Sequence, residues 1–161
     1  VSESKAKVVF ILNNSKLSGW LTWLFTGCTC YHVGIIKGEW FYDMYWMRRR
    51  TIWKKTHYYE KDQCIYFESP VTVPEQYLIN KIIDRSEHYG VWDYMTFGLK
   101  PLLKKMGISI KNMKGTICSE QVNEDLMGKG WNSPWPNNSH PPSPCKMLDY
   151  FLNKYKRLDG E

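Results

Sequence analysis

The first strong pattern along the chain is a short apolar, β-branched run, Val8-Val9-Phe10-Ile11-Leu12, cut off by Asn13-Asn14-Ser15. A continuous apolar run of this length between polar breakers predicts a buried strand. Ser15 or Ser18 is then placed to cap a short helix in which Trp20, Trp23 and Leu24 recur at helical spacing. No charge falls between Lys16 and His32, so this segment is either a helix packed on the domain or an aromatic surface for a lipid or hydrophobic ligand. Next comes Tyr31-His32-Val33-Gly34-Ile35-Ile36-Lys37-Gly38-Glu39-Trp40-Phe41-Tyr42-Asp43, which reads as a β-hairpin turning at Lys37-Gly38. That turn pairs Ile36 with Glu39, Ile35 with Trp40, Gly34 with Phe41 and Val33 with Tyr42. His32 then lies directly opposite Asp43, and directly opposed Cβ atoms are roughly 5 Å apart, within reach of an imidazole–carboxylate hydrogen bond. Simple alternation sends Tyr31 to the other face.

Further along, Gln63-Cys64-Ile65-Tyr66-Phe67 predicts another strand, closed by Ser69-Pro70. Pro74 and Glu75 suit a helix first turn, with Tyr77, Leu78, Ile82 and Ile83 forming an apolar face up to His88 and Gly90 as a stop. A second helix is expected from Asp93 past Phe97 to Leu103, made irregular by Pro101. In Gly115-Thr116-Ile117-Cys118-Ser119-Glu120-Gln121-Val122, Thr116 is a plausible N-cap, and Cys118, Val122 and Leu126 share a helical face. Cys118 then sits in a first turn, where free backbone N–H groups and the helix dipole favour a thiolate and can hold an oxyanion. A buried structural cysteine is the plain alternative. The stretch from Gly128 to Pro144, rich in Pro, Asn, Ser and Gly with Trp131 and Trp135, is either a loop over or beside a site or a structural wrap. A last helix is expected from Lys146 to Leu158, with Leu148, Phe151, Leu152 and Tyr155 inward and Lys154, Lys156 and Arg157 outward.

Composition narrows the class. A chain of 161 residues is most simply one domain, 1–161, and 43% hydrophobic with 16% aromatic residues argues against disorder. No apolar run reaches the ~18 residues of a membrane span. No secretory signal is visible, although a leader already removed would leave no trace. Five cysteines without framework spacing fit a reducing compartment, which favours the cytoplasm. The net charge of +6 favours anionic partners without choosing among them.

Two binding chemistries present themselves. Cys28, Cys30 and His32 alternate and would share one strand face, a partial zinc set. No second Cys/His pair with ligand spacing completes it, so no metal and no cofactor are expected. Arg48, Arg49 and Arg50, followed by Lys54, Lys55 and Lys61 among Trp46, Trp53, Tyr58 and Tyr59, make a basic aromatic stretch. It suits an anionic surface or a single-stranded nucleic-acid groove, or is merely solvated; no specific nucleic-acid motif accompanies it.

The order His32, Asp43, Cys118, together with flanking residues, resembles the circularly permuted branch of the NlpC-type papain-like amidase superfamily, which also contains lecithin:retinol acyltransferase. The matching pieces are the opening strand with its Asn/Ser-rich end, Tyr31-His32-Val33-Gly34-Ile35-Ile36 and Phe41-Tyr42-Asp43. Tyr89-Gly90-Val91-Trp92-Asp93-Tyr94, Cys118-Ser119-Glu120-Gln121-Val122 and Pro142-Ser143-Pro144 with Leu148 complete the set. The resemblance runs from Val8 to about Tyr150 and is loose in the middle. It implies an α+β fold, a permuted NlpC/papain-like single domain in which helices flank an antiparallel sheet and the nucleophile opens a helix. It also implies Cys118 as nucleophile, His32 as base and Asp43 as the polar third member. Many relatives carry Glu at that third place, and Asp is one methylene shorter.

The expected function is thiol-dependent hydrolysis of an amide bond in a peptide, an isopeptide, peptidoglycan or a lipid-linked substrate. With an amine or alcohol as acceptor, the same residues would make an acyltransferase. A rival from another class is a non-catalytic module whose basic, aromatic surface binds an anionic partner.

Overall fold

The structure, a computed structural model, describes residues 4–12, 30–44, 48–84, 118–136 and 142–158. Its centre is β1 (Lys7–Leu12), the apolar run that opens the chain. β1 pairs with β2 (Cys30–Lys37) on one side and β5 (Gln63–Glu68) on the other. β3 (Trp40–Met44) and β4 (Arg48–Ile52) extend the sheet beyond β2, and β6 (Arg157–Leu158) extends it beyond β5. The result is an open six-stranded sheet in the order β4-β3-β2-β1-β5-β6, antiparallel at every recorded pairing. Helices α1 (His57–Lys61), α2 (Glu75–Asp84), α3 (Cys118–Met127) and α4 (Pro144–Lys154) complete the described α+β architecture. No helix among the described residues is long and apolar enough to cross a membrane.

Both faces of the sheet are covered, which is why β1 and β2 read as nearly continuous apolar runs rather than alternating ones. On the first face Val8, Phe10, Val33, Ile35, Tyr42, Met44, Ile65 and Phe67 meet the buried sides of α2, α3 and α4. At its heart Phe151 of α4 packs edge-on against Phe10 and Phe67, with ring centroids 5.3 and 5.4 Å away. On the second face Val9, Ile11, Ile36, Phe41 and Tyr66 meet Trp53, from a single 3-10 turn after β4, and Tyr58 of α1. Among the described residues, a turn and one short helix cover this face, and their contacts with it are largely aromatic.

The hairpin forms, with its turn displaced by one residue. Lys37 pairs with Trp40, Ile36 with Phe41 and Ile35 with Tyr42, so the loop residues are Gly38 and Glu39. Gly38 meets the demand for positive φ, at 61°, from the first loop position instead of the second. The expected pairing is therefore slid by two positions, and a slide of two keeps every side chain on its face. Gly34 has a packing reason of its own: the Phe41 ring occupies the space where a Cβ would stand.

Other expectations need correction. The C-terminal helix starts earlier, at Pro144, where the Ser143 hydroxyl accepts from Lys146 N at 3.2 Å and proline fills the first turn. It ends at Lys154, and Arg157–Leu158 pair with Phe67 and Tyr66 as β6. Leu152, expected inward, is 48% exposed, while Cys145 and Met147 are buried. Ile83 of α2 is 67% exposed and lies off the apolar face, where Leu78 is buried and Tyr77, Ile79 and Ile82 pack against the core. β4 and α1 were not legible as elements in a stretch dominated by charge. The described part of the 128–144 segment is a wrap: Trp131 Nε1 donates to the Tyr155 hydroxyl at 3.0 Å, and Trp135 stacks edge-on against Tyr150 at 5.4 Å. The expected helices after Trp20 and Asp93 lie outside the described residues.

The Gly34 contact yields a stability test. A Cβ at Gly34 meets the Phe41 ring and comes within 2.9 Å of the Tyr42 carbonyl oxygen, a backbone atom that cannot swing aside. Gly34→Ala is expected to cost about 2 kcal/mol. Urea unfolding at constant m-value measures this; a loss under about 0.5 kcal/mol would mean that Phe41 repacks freely.

Candidate active site

His32, Asp43 and Cys118 come together. His32 sits near the start of β2 and Asp43 near the end of β3, both on the aromatic face, since Asp43 follows Phe41 by two and His32 precedes Gly34 by two. The recorded β2–β3 ladder stops at Ile35 and Tyr42, so both lie beyond it. Continuing that register sets Asp43 opposite Gly34, hence diagonal to His32 and not directly across from it. Diagonal neighbours remain within reach of a ring and a carboxylate. The contact forms: His32 Nε2 lies 2.7 Å from Asp43 Oδ2.

Cys118 opens the described part of α3, a helix whose Cys118, Val122 and Leu126 pack into the first-face core. The imidazole of His32 is within hydrogen-bonding reach of its thiol. With Nε2 held by Asp43, Nδ1 is the ring nitrogen left for the sulfur. The cysteine and the histidine belong to opposite faces of the sheet, and they meet where β2 and β3 are no longer bonded to each other. Ser119 anchors the start of α3 by donating its hydroxyl to the Pro142 carbonyl at 2.6 Å, just ahead of α4.

β2 carries a β-bulge immediately before His32. Ile11 pairs with His32 and Leu12 with Cys30, so Tyr31 is an extra residue in β2. Across the bulge, alternation is reset. Tyr31 stays on the aromatic face with His32, its ring centroid 6.4 Å from the imidazole, and its hydroxyl donates to Asp62 at 2.5 Å. Cys30 turns into the first-face core. The expectations that Tyr31 points away from His32, and that Cys30 and His32 share a face, are both corrected by this one residue. Cys28 lies outside the described residues, and among those described no three His, Cys, Asp or Glu side chains are arranged so that they could hold a metal ion.

Charge organises the site. All three side chains are buried. Burial alone would lower the His32 pKa, but the Cys118 charge and hydrogen bonds to Asp43 and Cys118 push it up to about 10. Burial alone would raise the Asp43 carboxyl, yet hydrogen bonds from His32 and Arg49 hold it below its ordinary value. Arg49, directly opposite Asp43 in β4, donates from Nε to Oδ1 at 2.7 Å and from Nη2 to Oδ2 at 2.9 Å. Tyr58 closes one face of the imidazole, its ring stacked at 5.1 Å.

The other thiols are a contrast. Burial pushes Cys64 up to about 11, and burial with the nearby Cys118 charge pushes Cys30 higher still. Cys145 is disulfide-bonded, so the argument for a reducing compartment from wholly free cysteines loses its premise there. The arginine run, expected as an anionic-partner surface, bonds to carboxylates of the chain itself. Arg48 donates to Asp125 of α3 at 2.8 and 3.0 Å, Arg49 to Asp43, and Arg50 to Glu75 at 2.7 Å while lying 3.8 Å over the Trp40 ring. Sequence reasoning missed Arg49 as part of the cluster. The only cue was an arginine in a β-compatible run six positions beyond the acid.

No protein-family model matches the chain, and no curated protein or solved structure matches it. The class it defines is therefore a structural one: an open antiparallel α+β sheet carrying a buried cysteine–histidine–aspartate cluster.

The lowered Asp43 pKa gives a prediction with a definite sign. A carboxyl whose folded pKa lies below its ordinary 3.8 adds stability above that value and loses it as pH falls through the folded one. Wild type is expected to exceed Asp43→Asn in urea midpoint at neutral pH, with the gap narrowing below about pH 4. A gap that stays constant down to about pH 2 would mean that Asp43 is not held ionised by its partners.

Proposed function

We propose that the chain is a thiol-dependent hydrolase of an amide bond, with Cys118 as nucleophile, His32 as base and acid, and Asp43 as the group that orients His32. The observation that carries this reading is the imidazole of His32, bonded on one nitrogen to a buried carboxylate and within reach of a thiol on the other side. A carboxylate fixes the tautomer and steadies the imidazolium that forms when the ring takes a proton. A first helical turn supplies N–H groups without intrahelical acceptors, suited to a developing oxyanion.

The steps follow. His32 Nδ1 accepts the Cys118 proton and Sγ attacks the carbonyl carbon. The tetrahedral intermediate collapses as the C–N bond breaks and His32 returns its proton to the departing amine, leaving a thioester. Water then attacks the thioester as His32 removes its proton. The C–S bond breaks, the acid leaves, and the proton returns to the thiol–imidazole pair. A permuted NlpC/papain-like fold is the architecture this order of residues suggests, and a histidine strand preceding a helix that opens on cysteine supports it. The substrate is an amide-containing peptide, isopeptide, peptidoglycan or lipid-linked molecule.

Because Cys118 is buried and Cys64 is the more exposed thiol, accessibility alone ranks Cys64 first for alkylation. Under the proposal Cys118 reacts with iodoacetamide faster than Cys30 and Cys64, and stays reactive well below the ~8.5 of a free thiol. His32→Ala is expected to slow that low-pH labelling about tenfold or more, measured by peptide mass spectrometry across a pH series. Identical profiles for the two proteins would show no coupling and overturn the reading. In turnover, Cys118→Ala, His32→Ala and the double variant are expected to share one residual rate, because groups acting as a unit lose activity non-additively.

A further inference from the structure

We infer that Arg49 is a positioning residue for this site: its guanidinium locks the Asp43 carboxylate in the plane that presents Oδ2 to His32. The inference rests on the reading of His32 as the catalytic base. Its geometric ground is that one carboxylate serves two partners. Oδ1 takes the Arg49 Nε bond at 2.7 Å, while Oδ2 takes Arg49 Nη2 at 2.9 Å and His32 Nε2 at 2.7 Å. A planar fork on both oxygens removes the rotation that a carboxylate bonded to imidazole alone would keep. The fork is itself placed by the sheet, because Asp43 and Arg49 are directly paired on β3 and β4. Arg49 also reaches the second wall of the imidazole: Nη2 lies 3.4 Å from the hydroxyl of Tyr58, whose ring stacks on His32.

Charge balance supplies an independent argument. Among the described residues, the titratable groups facing His32 are Asp43 from β3, with Arg49 of β4 behind it, Cys118 from α3, Tyr58 from α1 and Tyr31 on its own strand. In the reactive state of the proposed mechanism, a thiolate, an imidazolium and a carboxylate occupy one buried site. Those three sum to one negative charge, and Arg49 brings the set to neutrality. An uncompensated charge in such a place is costly. A lysine restores the charge and not the fork, so the two contributions separate.

The test has two parts. In a Cys118→Ala background, free of the sulfur's charge, the His32 imidazole is titrated by NMR. Adding Arg49→Met removes a cation from beside the imidazolium, so the midpoint is expected to rise by about one pH unit, and Arg49→Lys is expected to bring it back. With Cys118 intact, low-pH iodoacetamide labelling is expected to fall several-fold in both Arg49 variants, because neither has the fork. A merely structural arginine would lower stability and leave the midpoint where it was. If Arg49→Met does not fold, Arg49→Lys carries the test alone, through reduced labelling at an unchanged midpoint. An unchanged midpoint in Arg49→Met, or undiminished labelling in a folded Arg49→Lys, overturns the inference. Failure of the hydrolase reading looks different: wild-type Cys118 then lacks low-pH reactivity whatever stands at 49.

Discussion

A buried carboxylate is tolerable only if it is paired and hydrogen-bonded, and Asp43 is held in that way from both of its neighbouring strands. β2 brings the imidazole of His32 to Oδ2, and β4 brings the guanidinium of Arg49 to both oxygens. The consequence reaches past the site. β4 is an edge strand, and an exposed edge invites pairing with other chains unless charge blunts it. Here three successive arginines alternate across the edge: Arg49 turns toward the aromatic face, Arg48 and Arg50 toward the helices. The strand that closes the sheet also fixes the acid of the candidate site and ties α3 and α2 to the sheet.

The second tie sets where the cysteine stands. Arg48 bonds both oxygens of Asp125, and Gln121, one turn closer to Cys118, donates to the same carboxylate at 2.9 Å. Burial raises the Asp125 pKa against these bonds. Asp125 sits two turns beyond Cys118 on one helix, so the pair controls the roll of α3 about its axis. With Ser119 bonded to the Pro142 carbonyl at the other end, the sulfur is set from both sides of its own helix.

How much of this the chain declares in advance depends on the range of the interaction. Local rules located β1, β2, β5 and the turn glycine, because apolar runs and a positive φ are demands that single residues must meet. The hairpin turn fell one residue away from its expected place, since Gly38 satisfies either loop position. The face of His32 and Asp43 survived this, because the slide was even. What could not be read was anything set by a partner distant in sequence. β4 is written in charge, and its arginines become intelligible only beside Asp43, Glu75 and Asp125. The last helix gives way to β6 because Tyr66 and Phe67 offer an unpaired edge, which no helical periodicity records. The contact of His32 with Asp43 was legible in the hairpin pattern; that it runs diagonally, beyond the recorded end of the ladder, was not.

The extra residue at Tyr31 has one more effect. Were the same residues to run as a regular strand, a thiol and an imidazole two positions apart would look into the same space, and the Cys30 sulfur would crowd the ring of His32. With Tyr31 bulged, two residues stand against one partner and the Cys30 sulfur turns into the oily side of the sheet. The bulge thus works as insulation, written in the path of the backbone and not in a side chain.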